Sequence, residues 1–184
     1  MGVALGKRDW ILEAMFLIAE GGTARVAVEP LARRLGATKG SFYWHFANRD
    51  ELIVETLAHW EREFTDAPIA RVRAIADPVA RITALLEGVM ADDREGQADV
   101  GLLGSAPDPL VAPVFARVQR KRFAFLERCF RDLGFAPAAA RHRARIAYGG
   151  FIAWFEQRRV DPEAPPSDRE LRAYQRTLLE LLMR

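Results

Sequence analysis

The sequence of 184 residues is long enough for one large domain or two small ones, and half of its residues are hydrophobic, as in ordinary folded proteins. Its formal net charge of only +2 excludes a protein that binds nucleic acid through overall charge, so a DNA site has to rest on local charge. The single cysteine, Cys129, excludes an intramolecular disulfide, and no apolar run is long enough for a membrane helix. These features predict a cytoplasmic protein with no membrane partner.

Three helices are predicted near the amino terminus. Apolar residues at helical spacing between Trp10 and Ile18 indicate the first helix, which the glycine pair at 21–22 ends. A second helix ends at Gly36, because glycine readily takes the positive φ that closes a helix. A third helix begins at Thr38, whose hydroxyl can cap its free N–H groups.

The third helix is predicted to have an inward and an outward face. Phe42 and Phe46 stand four residues apart, so they share one face and are expected to point into the core. The outward face then carries small residues, one cation and aromatic side chains: Lys39, Gly40, Ser41, Tyr43, Trp44 and His45. A short exposed helix of this composition fits the DNA major groove, and the stretch is interpreted as a helix-turn-helix. For Trp44, packing against the first helix is an alternative.

This stretch closely resembles the DNA-binding signature of TetR-family transcriptional regulators. The resemblance is carried by Leu31-Ala32, Gly36, Thr38-Lys39-Gly40-Ser41-Phe42-Tyr43-Trp44-His45-Phe46 and Arg49-Asp50-Glu51-Leu52. It implies that operator DNA is contacted by Thr38, Lys39, Gly40, Ser41, Tyr43, Trp44, His45 and Arg49. One position departs from the family's pattern: Ala27 stands where a Thr or Ser usually caps the second helix, and alanine offers no hydroxyl for that cap or for a phosphate.

The resemblance also implies a function for the whole chain. It implies a homodimer that represses transcription from a palindromic, double-stranded DNA operator and is released by a small, largely apolar effector. Residues 1–48 are then the DNA-binding domain, and residues 49–184 the ligand-binding and dimerisation domain. A fourth helix over residues 49–64 is predicted to link the two, because Asn48 and Glu51 resemble a capping box and an apolar stripe follows.

The rest of the chain is predicted to be all-helical, with about nine helices in total. Asp-Pro pairs at 77–78 and 108–109 indicate two helix starts, with a short helix over 100–103 between them. Further helices are predicted over 138–159 and from Ser167 to the end, separated by a loop at 161–166.

Two candidate sites are predicted in this helical part. Aromatic residues and a methionine on several helices form either plain core or the lining of an apolar ligand cavity: Trp60, Phe64, Met90, Phe115, Phe151 and Trp154. Arg122 interrupts an apolar stripe, so it either extends to solvent or points into the cavity. On the last two helices, apolar residues also cover more than one face. The surplus predicts a dimer interface of Ala147, Phe151, Phe155, Tyr174, Leu178 and Leu182.

The alternative function is an all-helical small-molecule-binding protein or enzyme with no DNA role. It leaves the stretch from Thr38 to Phe46 unexplained. The three histidines, His45, His59 and His142, have no spacing to other ligands that would predict a metal site. No nucleophile motif or phosphate loop is evident, so neither an enzyme nor a cofactor is predicted.

Overall fold

The computed structural model describes residues 5–91, 93–160 and 166–184, and every regular element in these ranges is a helix. The α-helices are α1 Lys7–Gly21, α2 Val28–Arg34, α3 Lys39–Tyr43, α4 Arg49–Glu61, α5 Ala67–Arg73, α6 Pro78–Ala91, α7 Asp93–Gly104, α8 Val111–Asp132, α9 Pro137–Val160 and α10 Asp168–Met183. A 3₁₀ turn, Thr23–Arg25, precedes α2, and a π turn, Arg62–Asp66, joins α4 and α5 into one rod. Counting that rod once gives nine helices, so the all-α prediction is confirmed for the described residues.

The boundaries of α1, α2 and α3 follow their predicted signals. Gly22 and Gly36 have φ values of 77° and 62°, a conformation that a residue with a side chain rarely adopts. The Thr38 hydroxyl accepts a hydrogen bond from the Ser41 N–H at 3.1 Å and so caps α3. Ala27 is the N-cap residue of α2 and makes no side-chain capping bond. We call α1 to α3, through Phe46, the head.

The predicted linking helix is longer than expected. Asn48 caps α4 by accepting the Glu51 N–H at 2.9 Å, while the Glu51 carboxylate accepts the Ala47 N–H at 2.6 Å rather than that of Asn48. The helix predicted over 49–64 then continues through the π turn and α5 to Arg73. Pro68 explains the π turn, because it lacks the N–H that an α-helix would direct to the Phe64 carbonyl.

A helix begins after each of the two Asp-Pro pairs, but the second helix begins further along the chain than predicted. The Asp77 carboxylate accepts the N–H groups of Val79 and Ala80, and α6 begins at Pro78 as predicted. Asp108 accepts the Leu110 N–H at 2.8 Å, but α8 begins only at Val111. The short helix predicted over 100–103 is wrong in length, since α7 extends over Asp93–Gly104.

Close helix contacts join the parts of the molecule. A Cβ atom at Gly101 of α7 would lie 2.0 Å from the Ile18 carbonyl oxygen, so only glycine allows α7 to pack on α1 this closely. The Tyr174 hydroxyl of α10 donates to the Gly150 carbonyl of α9 at 2.8 Å, so the two helices lie close together at Gly150. Gly149, in contrast, is exposed and has open space beside it.

Two hydrophobic cores result. The first fills the head and its contacts with α4, α7 and α8, and the second lies among α6, α8, α9 and α10. None of the described helices has the length and hydrophobicity required to cross a bilayer. The loop predicted at 161–166 lies outside the described residues except for Pro166.

Candidate DNA-binding surface and ligand cavity

The helix α3 separates its two faces as the sequence predicts. Phe42 and Phe46 are 0% and 1% exposed, whereas Tyr43 is 53% and Trp44 88% exposed. Lys39 and Gly40 are also exposed, and Ser41 and His45 are half-buried. The exposure of Trp44 excludes its alternative position against α1.

Aromatic packing fixes the buried face of α3. The Phe42 ring contacts that of Trp10 on α1 edge-to-face, with centroids 5.4 Å apart, and stacks on Phe46 at 5.3 Å. The Lys7 ammonium lies 5.2 Å from the centre of the Phe46 ring. The outward side chains therefore project from a backbone that is held against α1.

Lys39 is paired with an acidic side chain of the neighbouring helix. Its ammonium donates to the Glu29 carboxylate of α2 at 2.9 Å, and both side chains are more than half exposed. The hydrogen bond raises the pKa of Lys39 and lowers that of Glu29. The sequence did not indicate that Glu29 pairs with Lys39, because the pair joins two helices whose relative orientation depends on the turn between them.

Arg49 has a bracing role that the sequence did not predict. Its guanidinium donates to the carbonyls of Val26 at 2.6 Å and Thr23 at 2.7 Å, so it holds the turn between α1 and α2. Thr23 is fixed in turn, since its hydroxyl donates to Asp108 at 2.9 Å and its N–H to the Ser105 hydroxyl at 3.0 Å. The predicted DNA contact of Arg49 has no support in this geometry.

A narrow cavity of about 50 Å³ lies in the carboxyl-terminal part. The lining comes from the π turn, α5, α6, α8 and α9: Phe64, Thr65, Pro68, Ile69, Leu85, Leu86, Val89, Arg122, Phe125, Leu126, Ala147, Tyr148 and Phe151. Three of the predicted ligand-binding residues, Phe64, Arg122 and Phe151, are among them. A cavity this small has to widen before it holds a ligand of more than a few atoms.

The other predicted cavity residues belong to the core. Trp60 and Phe115 stack on each other with centroids 5.9 Å apart, in the first core. Met90 and Trp154 are 1% and 6% exposed within the second core. Their prediction as cavity lining is corrected, because their rings and thioether are enclosed by neighbouring side chains.

Arg122 lines the cavity and its side chain is only 10% exposed, so of its two predicted positions the one in solvent is excluded. It donates to the Thr65 hydroxyl at 2.9 Å, to the Phe64 carbonyl at 2.8 Å and to the Asp99 carboxylate at 2.5 Å. The Phe64 carbonyl is the one that Pro68 leaves without its helical partner. One side chain of α8 thus holds both the π turn and α7.

Asp99 is a fully buried carboxylate that the sequence analysis missed. Its side chain is 0% exposed and also accepts the Trp60 indole N–H at 2.7 Å. Burial raises the pKa of Asp99, while Arg122 and Trp60 oppose that shift. The available sequence signal was a single acid inside the apolar run from Ala98 to Leu103.

Tyr148 supplies a neutral hydroxyl beside the cavity. Its oxygen accepts a hydrogen bond from the Gln119 side-chain amide at 2.6 Å. Burial, followed by the nearby Asp99 carboxylate, raises the pKa of Tyr148 to about 12. Tyr148 therefore remains protonated at physiological pH.

Most of the predicted dimer interface faces inward. Side chains filling the second core are Ala147, Phe151, Phe155, Leu178 and Leu182, and the half-buried Tyr174 packs on Trp154 at 5.0 Å. These residues close the chain's own core, which corrects the prediction that they face a partner. The outward faces of α9 and α10 carry Ile146 and Leu181 instead, which are 55% and 61% exposed.

Among the described residues, no group of three His, Cys, Asp or Glu side chains is placed to hold a metal ion. His59 is buried, and that burial lowers its pKa. Its Nδ1 lies 3.3 Å from the Arg62 guanidinium. Cys129 is fully buried in the second core.

Comparison with known proteins gives a consistent result. Residues 11–56 match the family described as bacterial regulatory proteins, tetR family. The HTH-type transcriptional repressor KstR2 of Mycobacterium tuberculosis is 35% identical over 89 residues, which are 48% of this chain and 42% of KstR2. The match thus spans less than half the length of that relative.

Two solved structures share the fold over nearly the whole chain. A transcriptional regulator from Rhodococcus sp. Rha1 has a TM-score of 0.80 at 17% identity, covering 97% of this chain and 96% of that one. A TetR transcriptional regulator from Legionella pneumophila has a TM-score of 0.81 at 10% identity, covering 98% and 99%. Over residues 11–56, which hold the helix-turn-helix, the chain is thus similar to the bacterial regulatory proteins of the tetR family.

Proposed function

We propose that the protein is a homodimeric transcriptional repressor that binds a palindromic operator through α3 and is released by a small, largely apolar effector. The observation that carries the proposal is the division of α3 into a packed face and an outward face of polar, small and aromatic side chains. Lys39 is proposed to read bases, and Tyr43 and His45 to contact the phosphate backbone. Thr38, Gly40, Ser41 and Trp44 complete the proposed contact surface: its small residues allow close approach of the backbone.

The dimer is proposed to form through the outward faces of α9 and α10. Ile146, Gly149 and Ala153 lie at three- and four-residue spacing on α9, and all three are exposed. Leu181 of α10 is 61% exposed. Pairing of these smooth apolar faces with their copies buries surface that is otherwise in water.

The effector is proposed to act through the cavity and the rod formed by α4 and α5. Arg122 joins the cavity wall to the π turn of that rod and, through Asp99, to α7, which packs on α1 of the head at Gly101. A ligand that displaces Arg122 would therefore move the head by two routes. A preference of about 1–3 kcal/mol between two states changes DNA affinity by roughly 5–150-fold, and operator DNA must weaken the ligand by the same factor.

The decisive experiment is selection of bound duplexes from random DNA by the purified protein. The expected product is an inverted repeat, with half-sites about 34–36 Å apart or a multiple of that spacing. Lys39→Ala should relax the choice at particular bases, whereas His45→Ala should weaken all sequences alike. Arg128→Ala removes an exposed cation of α8 and serves as the control. Failure of any duplex to compete better than bulk DNA would refute the proposal.

The dimer is tested separately by sedimentation of the protein at micromolar concentration. Ile146→Arg and Leu181→Arg should give folded monomers, while Val79→Arg, at an exposed valine of α6, should leave the dimer intact. A monomeric unmodified protein would contradict the proposed dimer.

A further inference from the structure

Phe64 lies where three spaces in the molecule meet. It lines the narrow cavity, a groove of about 630 Å³ along α5 and α6, and a groove of about 800 Å³ bounded by α1, α4 and α7. The cavity and the first groove also share Pro68, Leu85 and Val89 as lining residues. These four side chains line both spaces, so they lie between the cavity and this groove, which we call the mouth.

The backbone around Phe64 can stay in place when the ring moves, and the ring then gives up its edge contact with the His59 ring, whose centroid lies 6.3 Å away. Phe64 lies in the π turn, and its ring is half-buried rather than enclosed. Its carbonyl is held by Arg122 at 2.8 Å, so rotation about the side-chain bonds breaks no backbone hydrogen bond. Rotamer changes of partly exposed side chains are fast compared with helix movements.

The cavity and the mouth differ in chemistry. Cavity residues are almost all apolar, and the charge of Arg122 is already matched by the buried Asp99 carboxylate at 2.5 Å. A charged group would therefore lose its hydration there without gaining a new counter-ion. The apolar part of a ligand fits the cavity better than its polar part.

The charges at the mouth favour an anion. Of the acidic residues that line it, Glu63 is paired with Arg62 at 2.8 Å and Asp93 with Arg158 at 3.4 Å. Arg71 also lines the mouth, is exposed, and makes no hydrogen bond or ion pair with another described residue. Among the described lining residues, Arg71 is thus the charged side chain that has no ion-pair partner.

We propose that Phe64 gates the cavity from the mouth, and that the site takes an anionic amphipathic molecule with one unbranched apolar chain. The chain lies behind Phe64 in the widened cavity, and the anionic head group remains in the mouth beside Arg71. The inference deepens the proposed function, because it names the chemical class of effector and its route of entry.

The first test measures binding of hexanoate, octanoate and decanoate to the protein by titration calorimetry, without DNA. Affinity should rise about fourfold for each added methylene, since each buries apolar surface. Decyltrimethylammonium should bind more weakly than decanoate, and Arg71→Gln should remove most of that difference. Equal affinity along the series would overturn the buried chain, and stronger binding of the cation would overturn the anionic head group.

The gate is tested by stopped-flow association of decanoate, followed through tryptophan fluorescence. Phe64→Ala should raise the association and dissociation rates several-fold, while Phe16→Ala, at a half-exposed phenylalanine of the other groove, should change neither. Val89→Trp should block entry and weaken binding at least tenfold, against Val79→Trp as the matched substitution on the same helix. Unchanged rates in Phe64→Ala would overturn the gate.

These measurements separate the inference from the proposed function. If the protein binds decanoate through this gate but selects no duplex, the proposed ligand site is supported and the proposed repressor function is wrong. A protein that selects an operator but binds none of the three carboxylates remains a DNA-binding regulator, and the proposed site is then wrong.

Discussion

The head and the cavity region each contain a cation paired with a carboxylate, in opposite surroundings. The Lys39 and Glu29 side chains are 54% and 68% exposed, whereas those of Arg122 and Asp99 are 10% and 0% exposed. Water solvates the first pair whether or not it is formed, so it contributes little to stability and exchanges easily for a phosphate. The second pair has no such replacement, because removing one partner leaves a bare charge in an apolar interior.

This difference indicates what each pair does. The exposed pair keeps Lys39 at the surface, where its charge is available to the proposed DNA partner at a small cost. The buried pair instead fixes geometry, since Arg122 positions the π turn and α7 together. The predictions below test that contrast, from the largest expected effect to the smallest.

Breaking the buried pair should destabilise the protein strongly. Arg122→Leu leaves the Asp99 carboxylate buried without its cation, and we expect a loss of about 3–5 kcal/mol in the free energy of unfolding. Urea denaturation followed by circular dichroism measures this value. Lys39→Leu, the same kind of change in the exposed pair, should leave the midpoint nearly unchanged. Equal losses in the two variants would contradict the contrast.

Removing both buried charges should cost less than removing one. In the double variant Asp99→Leu, Arg122→Leu, no charge remains in the interior, so its stability should exceed that of Arg122→Leu alone. The same urea titration compares the two. If the double variant is the less stable, shape and hydrogen bonding of the pair matter more than its charges.

Glu61 forms ion pairs that are less buried than Arg122–Asp99 and less exposed than Lys39–Glu29. Their contribution to stability can be tested by changing the pH. The Glu61 carboxylate accepts hydrogen bonds from Arg117 Nε at 2.9 and 3.1 Å and from Arg117 Nη2 at 2.5 Å, and it lies 2.8 Å from the Lys121 ammonium. Arg117 first, and then Lys121, lower the pKa of Glu61 to about 2, against the opposing effect of burial. The cations are half-exposed, so solvent screens part of the attraction.

Because the pKa of Glu61 is lowered in the folded state, its ionised carboxylate stabilises the protein at pH values above the ordinary range of carboxyl pKa values. That stability is complete above about pH 4.5 and is lost as the pH falls toward about 2. We expect Glu61→Gln to lower stability at pH 7 by on the order of 2 kcal/mol and to lose less stability than the unmodified protein between pH 7 and pH 3. Glu180→Gln, at an exposed carboxylate of α10, is the control and should leave the pH profile unchanged.

Local signals made the head predictable from sequence, and the lack of them left the cavity partly unpredicted. Thr38 and Asn48 cap helices through residues three positions later, and Gly36 ends a helix through its own backbone, so each can be inferred from its neighbours. The partners of Arg122 come from α4, where the Trp60 ring centre lies 5.3 Å from its guanidinium, from the π turn and from α7, and no short spacing relates them. The sequence could not decide between plain core and cavity lining for Trp60 for the same reason. Its indole N–H meets Asp99 only when α7 is in its place in the fold, and Trp60 is then part of the core.

The prediction of the dimer-interface residues was wrong for a related reason. A helix that is apolar on all sides indicates burial but not which element buries it. Phe151 and Leu178 were assigned to a partner, yet α6, α8 and the facing terminal helix already cover them. The smaller stripe with Ile146 and Gly149 remains outward, where an exposed glycine beside an exposed isoleucine is consistent with a surface that another helix approaches closely.

The smallest expected effect concerns the exposed pair itself. In Glu29→Gln the Lys39 ammonium loses its partner, and one negative charge is removed beside the proposed DNA surface. Both changes favour phosphate, and neither alters the buried packing of α3. We expect affinity for all duplexes to rise about three- to tenfold at low salt, with a steeper decrease as salt is added.

Binding titrations of operator and of bulk DNA at several salt concentrations measure this change. Glu87→Gln alters the net charge equally, at an exposed position of α6 outside the head, and should have a clearly smaller effect. Combining Glu29→Gln with Lys39→Ala should remove most of the gain, because the released ammonium is then absent. An equal gain from Glu87→Gln would show that overall charge, and not release of Lys39, determines the affinity.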